Sequence, residues 1–260
     1  MIHLKTPEEL VTMREAGRIV ARTHAALKEA IKPGVTTAAL NKIADDLIRR
    51  YGAVPTFLGY PPGGDHPFPG AICASINNEL VHGIPSETRI LEEGDLLSVD
   101  VGATYKGFVG DAAFTVGVGK ISPEAQRLID VAEEALWTGI RKSRVGVETR
   151  DVSMAIQAVA EKHGVGIVRE YTGHGVGHTM HEDPQVPNWW PRGRKQRKWQ
   201  SYALRPGMTF ALEPMFCLGS PITRLLNDHW TVIIADKTLA VHVEHTIAVT
   251  EDEPLVLTLP

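Results

Sequence analysis

The chain has 260 residues, of which 43% are apolar and 22% charged, and its formal net charge is −4. This is an ordinary balance for a folded globular chain, and it excludes a molecule that attracts nucleic acid or anionic lipid by bulk charge. No apolar run approaches the ~20 residues needed to span a bilayer. The first residues lack the basic segment and apolar core of a signal peptide, and Cys73 and Cys217 read as reduced thiols, so a cytoplasmic protein is expected.

The elements follow in chain order. Thr6-Pro7-Glu8-Glu9 combines an N-cap, a proline suited to the first helical position and a capping-box glutamate. Leu10, Met13, Gly17, Val20, His24, Leu27 and Ile31 then recur at helical spacing, and Pro33-Gly34 ends the helix. A second helix is predicted from about Thr37 to Tyr51, with Leu40, Ile43, Ala44, Leu47 and Ile48 inward and Gly52 as its stop. Leu97-Val99-Val101 alternates like a strand, and Tyr105-Lys106-Gly107 is a turn that can fold Asp111 back toward Asp100. A third helix begins at Ser122-Pro123-Glu124 and runs to about Ser143; a fourth runs from about Arg150 to His163 and stops at Gly164. Val241-Val243 alternates again, so mostly antiparallel strands with helices over one face, an α+β arrangement, are expected.

The chain also resembles itself. Gly34, Val35, Thr37, Leu40, Ile43, Ala44, Leu47, Ile48 and Gly52 recur, without a gap, as Gly146, Val147, Thr149, Val152, Ala155, Ile156, Val159, Ala160 and Gly164. The stretch ending at Asp100 resembles the one ending at Glu213, and Asp111 to Val116 loosely resembles Glu244 to Val249. We read a single catalytic domain, 1–260, built of pseudo-repeats of approximately 1–118 and 119–260. Packed about a pseudo-twofold axis, they set Asp100 opposite Glu213 and Asp111 opposite Glu244.

Those four carboxylates lie in or beside apolar runs, where a carboxylate is rarely buried without a partner. Together with His174 they form the ligand set of a pair of hard-to-borderline divalent cations. Without metal, such crowded buried charges repel at high cost. Glycines flank His174, which lets the backbone pass close to a bound group. His82, before Gly83-Ile84-Pro85, is the first half's counterpart to the histidines His174, His178 and His181 of the second.

The order of these motifs, Asn78 to Pro85, Asp100 and Asp111 about Tyr105-Lys106-Gly107, Gly173 to Gly177 with His181-Glu182-Asp183-Pro184, and Phe210 to Met215, resembles type I methionine aminopeptidases over nearly the whole chain. The resemblance implies the pita-bread fold: pseudo-twofold duplicated halves with a curved antiparallel sheet covered by helices. It implies removal of the initiator methionine from nascent polypeptides with a small second residue, by a water that two divalent ions (Co, Mn, Fe or Zn) activate. It assigns Asp100, Asp111, His174, Glu213 and Glu244 as metal ligands, with Asp111 and Glu244 bridging both ions. Glu213 is also the proton acceptor, His82 and His181 are the histidines beside the scissile bond, and Tyr60, Phe68, Cys73 and Trp230 line the methionine pocket. Departures from the family pattern bear on that pocket: a longer 57–70 loop, Phe57 where a cysteine often lies, and Met180 where a phenylalanine often lies.

Two alternatives stay open, and a third is disfavoured. Xaa-Pro peptidases share the fold but usually carry a large N-terminal domain, and a non-catalytic binding member would be expected to lose ligands. A type II enzyme needs a helical insertion for which the stretch between His181 and Glu213 has no room. That stretch does hold Asn188 to Trp199, rich in tryptophan and cations. Its two readings are a locally packed loop and, through 189–199, a transient contact with ribosomal RNA. A monomer is the simplest expectation.

Overall fold

The computed structural model describes residues 2–193 and 198–260. Arg194, Lys195 and Arg197, three of the cations in the expected ribosome-contact segment, lie outside the described residues. Among the described residues, four α-helices form where their caps predict. In α1 (Pro7–Ala30), Thr6 accepts from the Glu9 amide and the Glu9 carboxylate accepts from the Thr6 amide. Thr36 caps α2 (Thr37–Arg50), and Gly52 follows it with φ +75°. Ser122 caps α3 (Pro123–Lys142). In α4 (Thr149–His163) the first turn starts one residue earlier than expected, because Glu148 and Asp151 close a capping box. Gly164 then stops the helix in the left-handed region at φ +67°, a conformation that costs a side chain-free residue little.

The strands pair antiparallel throughout. Leu96–Tyr105 and Phe108–Gly117 form one long hairpin, with Lys106 and Gly107 at positive φ as a two-residue turn requires. The hairpin is extended by Ile72–Ile76 and Val54–Pro55. A second sheet runs Leu255–Val256, His245–Ala248, Thr209–Leu212, Gly173–Gly175, Glu182–Val186. Among the described residues there are also two three-stranded sheets: Ala240–His242, Met215–Cys217 and Gly166–Ile167, and Thr223–Leu225, Val232–Ile234 and Glu79–Val81.

Each half carries its own core. Leu97, Val99, Val101 and Ala103 pack with Val20, Leu27, Leu40, Ala44 and Ile48 of α1 and α2. Phe210, Leu212, Val243 and Ile247 pack with Leu128, Ala132, Leu136, Val152 and Ile156 of α3 and α4. The same backbone bonds recur in both halves. Gly34 N–H donates to Leu91 O as Gly146 N–H does to Leu204 O, and Leu91 N–H donates to Val35 O as Leu204 N–H does to Val147 O. The isolated bridges Thr36–Ile90 and Glu148–Ala203 also correspond.

The halves meet along one seam. Glu244 N–H donates to Ala113 O at 2.8 Å, and the Ala113 amide returns the bond. On either side, the Thr246 hydroxyl donates to Asp111 O and the Thr115 hydroxyl to His242 O. Helix α1 lies directly on this hairpin: a Cβ at Gly110 would stand 2.6 Å from Gly17 N. Among the described residues, no helix is long and apolar enough to cross a membrane.

Candidate metal centre and substrate cavity

Local strand geometry aims the carboxylates. Asp100 pairs with Ala113 and Asp111 with Gly102, so the two aspartates are diagonal neighbours on one face of the hairpin. The glutamates sit where a strand leaves one sheet for another. Glu213 separates Thr209–Leu212 from Met215–Cys217, and Glu244 separates Ala240–His242 from His245–Ala248. The seam bonds at Ala113 then bring Asp111 and Glu244 together.

His174 lies in the short strand Gly173–Gly175. Its flanking glycines are set by close neighbouring backbone. A Cβ at Gly173 would lie 2.5 Å from Ala211 O, and one at Gly175 would lie 2.2 Å from Asp183 O. His174 Nδ1 donates to Gly175 O at 2.9 Å, which leaves the Nε2 lone pair facing the carboxylates. That Nε2 is 3.5 Å from Glu213 Oε1 and 3.8 Å from Asp111 Oδ2. Asp111, His174 and Glu244 each offer a ligand atom within 4.8 Å of the other two.

The electrostatics fit a cation site. Asp100 Oδ1, Asp111 Oδ1, Glu213 Oε1 and Glu244 Oε1 are buried without a hydrogen-bond partner. Burial, then the charge of Glu213, pushes the Asp111 pKa up to about 8. Burial likewise raises Glu213 well above the ordinary range, and burial with the neighbouring Asp111 charge does the same for Asp100 and Glu244. Burial lowers His174 to about 3, so its imidazole is neutral and free to act as a ligand. Orphaned acceptors crowded this closely call for positive charge. All five residues expected as ligands face one cavity.

That cavity, about 150 Å³, is lined on its apolar side by Phe57, Tyr60, Phe68, Cys73, Met180 and Trp230. His82 and His181 stand at its polar side. Burial lowers the pKa of both, His82 to about 4. The long 57–70 loop folds back on itself. Phe68 N–H donates to Tyr60 O and Gly59 N–H to Phe68 O. Its outer part docks where the Trp230 indole donates to His66 O and the His66 and His229 rings stack at 3.9 Å.

One group was missed. His242 Nε2 is buried without a hydrogen-bond partner, 3.6 Å from Glu213 Oε2 and 3.7 Å from Glu244 Oε2. A signal existed: in an extended segment His242 shares a face with Glu244, two residues on. Tyr171, Thr172, Val81 and Met215 complete the lining. By contrast, the tryptophans of 189–199 pack on one another. Trp199 meets Trp189 and Trp190 edge-on, and Trp190 is buried.

A buried cluster of carboxylates and imidazole at the mouth of an apolar cavity defines a metal-dependent hydrolase class. The chain belongs to metallopeptidase family M24, whose pattern matches residues 11–251. More particularly, its relatives are methionine aminopeptidases. It is 47% identical to methionine aminopeptidase 1 of Bacillus subtilis, over 96% of each chain. It is 46% identical to the methionine aminopeptidase of Clostridium acetobutylicum, over 100% of this chain and 99% of that one. The crystal structure of methionine aminopeptidase from Thermotoga maritima superposes with a TM-score of 0.93 at 38% identity, covering all of both chains. The chain is therefore a metallopeptidase with the α+β pita-bread fold.

Proposed function

We propose that this enzyme removes the N-terminal methionine from nascent polypeptides with a small second residue. The observation that carries the reading is the cavity itself: apolar, aromatic and sulfur-containing walls open directly onto the carboxylate cluster. A flexible thioether suits such walls, and a cavity of about 150 Å³ suits one terminal side chain rather than a long stretch of chain. Asp100, Asp111, His174, Glu213 and Glu244 would hold two divalent ions, drawn from Mn, Fe, Co and Zn, all of which suit oxygen and imidazole donors. When bound, such ions supply Lewis-acid catalysis and offset the charge that develops on the peptide carbonyl.

The chain's own groups supply the rest. Glu213 accepts the proton of the attacking water. His82 and His181, kept neutral by burial, offer N–H groups to the scissile amide. Tyr60, Phe68, Cys73 and Trp230 hold the methionine side chain, with Phe57 and Met180 completing the wall. We take 1–260 as one catalytic domain of two pseudo-repeats acting as a monomer, and we place it in the cytoplasm, where its substrates arise. With the tryptophans of 189–199 engaged with one another, ribosome contact would rest on the cations of that segment. Ribosome pelleting after their neutralisation tests it.

The deciding assay follows methionine release from Met-Ala-Ser across added divalent ions, beside an Ala-Pro peptide. Metal-dependent release of methionine is expected; cleavage of Ala-Pro with Met-Ala-Ser untouched would overturn the reading.

A further inference from the structure

The N-terminal arm ahead of α1 reaches the active-site rim. Lys5 N–H donates to Gly207 O at 2.7 Å, and the Lys5 side chain, 1% exposed, places Nζ 2.6 Å from Glu182 Oε2. The other Glu182 oxygen accepts from the Thr179 amide, and the Thr179 hydroxyl donates to His181 O. Room for this pair exists because residue 177 is glycine: a Cβ there would meet Lys5 Cε at 2.3 Å, Lys5 Nζ at 2.5 Å and Glu182 Oε1 at 2.7 Å. His181 is the residue directly before Glu182. Its ring lies 4.3 Å from that of His174 and is otherwise held from the side by the Tyr60 hydroxyl.

A buried ion pair adds little net stability, because desolvation offsets the attraction. What it does supply is geometry: an ammonium with three donors fixes the carboxylate that closes the 177–182 loop. We propose that Lys5 is a positioning residue for His181, acting through Glu182, so that the arm ahead of the first helix sets the aim of an active-site imidazole. This rests on the role given to His181 above.

The test is a double-mutant cycle between Lys5→Met, which keeps the stem and removes the charge, and His181→Ala, with Lys5→Arg as the conservative rescue. With Mn(II) saturating, Lys5→Met is expected to lower kcat/KM for Met-Ala-Ser about 10–100-fold, as small misplacements of a reacting group do. Mn(II) affinity should be unchanged, Lys5→Arg should recover part of the loss, and the loss should vanish in the His181→Ala background. A merely structural lysine predicts a lower Tm and an equal loss in both backgrounds, which would overturn the proposal, as would no loss at all. Imidazole NMR of the metal-free protein reads the same point without turnover. The His181 ring signals should broaden or average in Lys5→Met, and in Glu182→Gln should the first variant not fold; unchanged signals overturn the proposal. Failure of the substrate reading would appear separately, as a wild-type enzyme that releases no methionine with any divalent ion.

Discussion

The Tyr60 hydroxyl lies 2.7 Å from His181 Nδ1. Burial raises the phenol pKa and lowers that of the imidazole, so a protonated phenol meets a neutral ring. With the phenol as donor to Nδ1, the ring carries its hydrogen on Nε2, the tautomer that the role proposed for His181 requires. Removing that hydroxyl frees the tautomer without touching the carboxylates. Tyr60→Phe should lower kcat/KM for a Met-Ala peptide by about 10-fold, less than the loss of a general acid or base, because the imidazole itself remains. Steady-state kinetics with calorimetric Mn(II) titration checks it, and a fall in metal affinity instead would place Tyr60 elsewhere in the mechanism.

Glu213 is buried with an orphaned oxygen beside His174 and His242. Glu213→Gln keeps the volume and removes the proton acceptor. Turnover should fall by roughly 10²–10⁴-fold in metal-replete enzyme. Wild-type-like kcat in a sample of verified metal content would remove Glu213 from its role.

Metal removal should expose a pH dependence of stability. In the metal-free protein the Asp111 pKa stands near 8, raised by burial and the Glu213 charge, against an ordinary value of 3.8. A carboxyl whose folded pKa is raised binds more protons folded than unfolded between those two values, so stability falls as pH rises through that window. The buried histidines, lowered to about 3 or 4, act oppositely but only below their ordinary 6.5. From pH 6.5 to 8 the carboxylates are therefore decisive. Calorimetry in EDTA should show Tm falling across that interval, and Mn(II) should abolish the fall while releasing protons on binding. A flat metal-free Tm would show that the cluster does not carry this strain.

The contact of α1 with the central hairpin has no slack. A Cβ at Gly110 would lie 2.6 Å from Gly17 N and 2.7 Å from Ala16 C, backbone atoms that cannot turn aside. Gly110→Ala should cost about 1–3 kcal/mol in urea unfolding, the usual range for overpacking. Because Asp111 is the next residue, Mn(II) affinity should fall with it. A neutral Gly110→Ala would mean that the helix lifts freely from the sheet.

The helices were legible in the sequence to within a residue because their signals are local. Thr6, Pro7 and Glu9 act on amides within one turn, and Gly52 and Gly164 end helices through their own backbone freedom. The carboxylates could be singled out for a related reason: Glu213 and Glu244 stand among apolar neighbours, and that conflict is visible along the chain. The inward alternation of Leu97, Val99 and Val101 named the core face in the same way. Tertiary structure alone decided what lies across the seam. The Ala113–Glu244 bonds set the register that brings Asp111 to Glu244. His242 meets Glu213, and Lys5 reaches Glu182, through contacts between segments distant in sequence. The glycines beside His174 proved to be shaped by neighbouring carbonyls. Capping and periodicity are written into adjacent residues, whereas close approach and pairing depend on which strands fold beside one another, and no short stretch of chain encodes that.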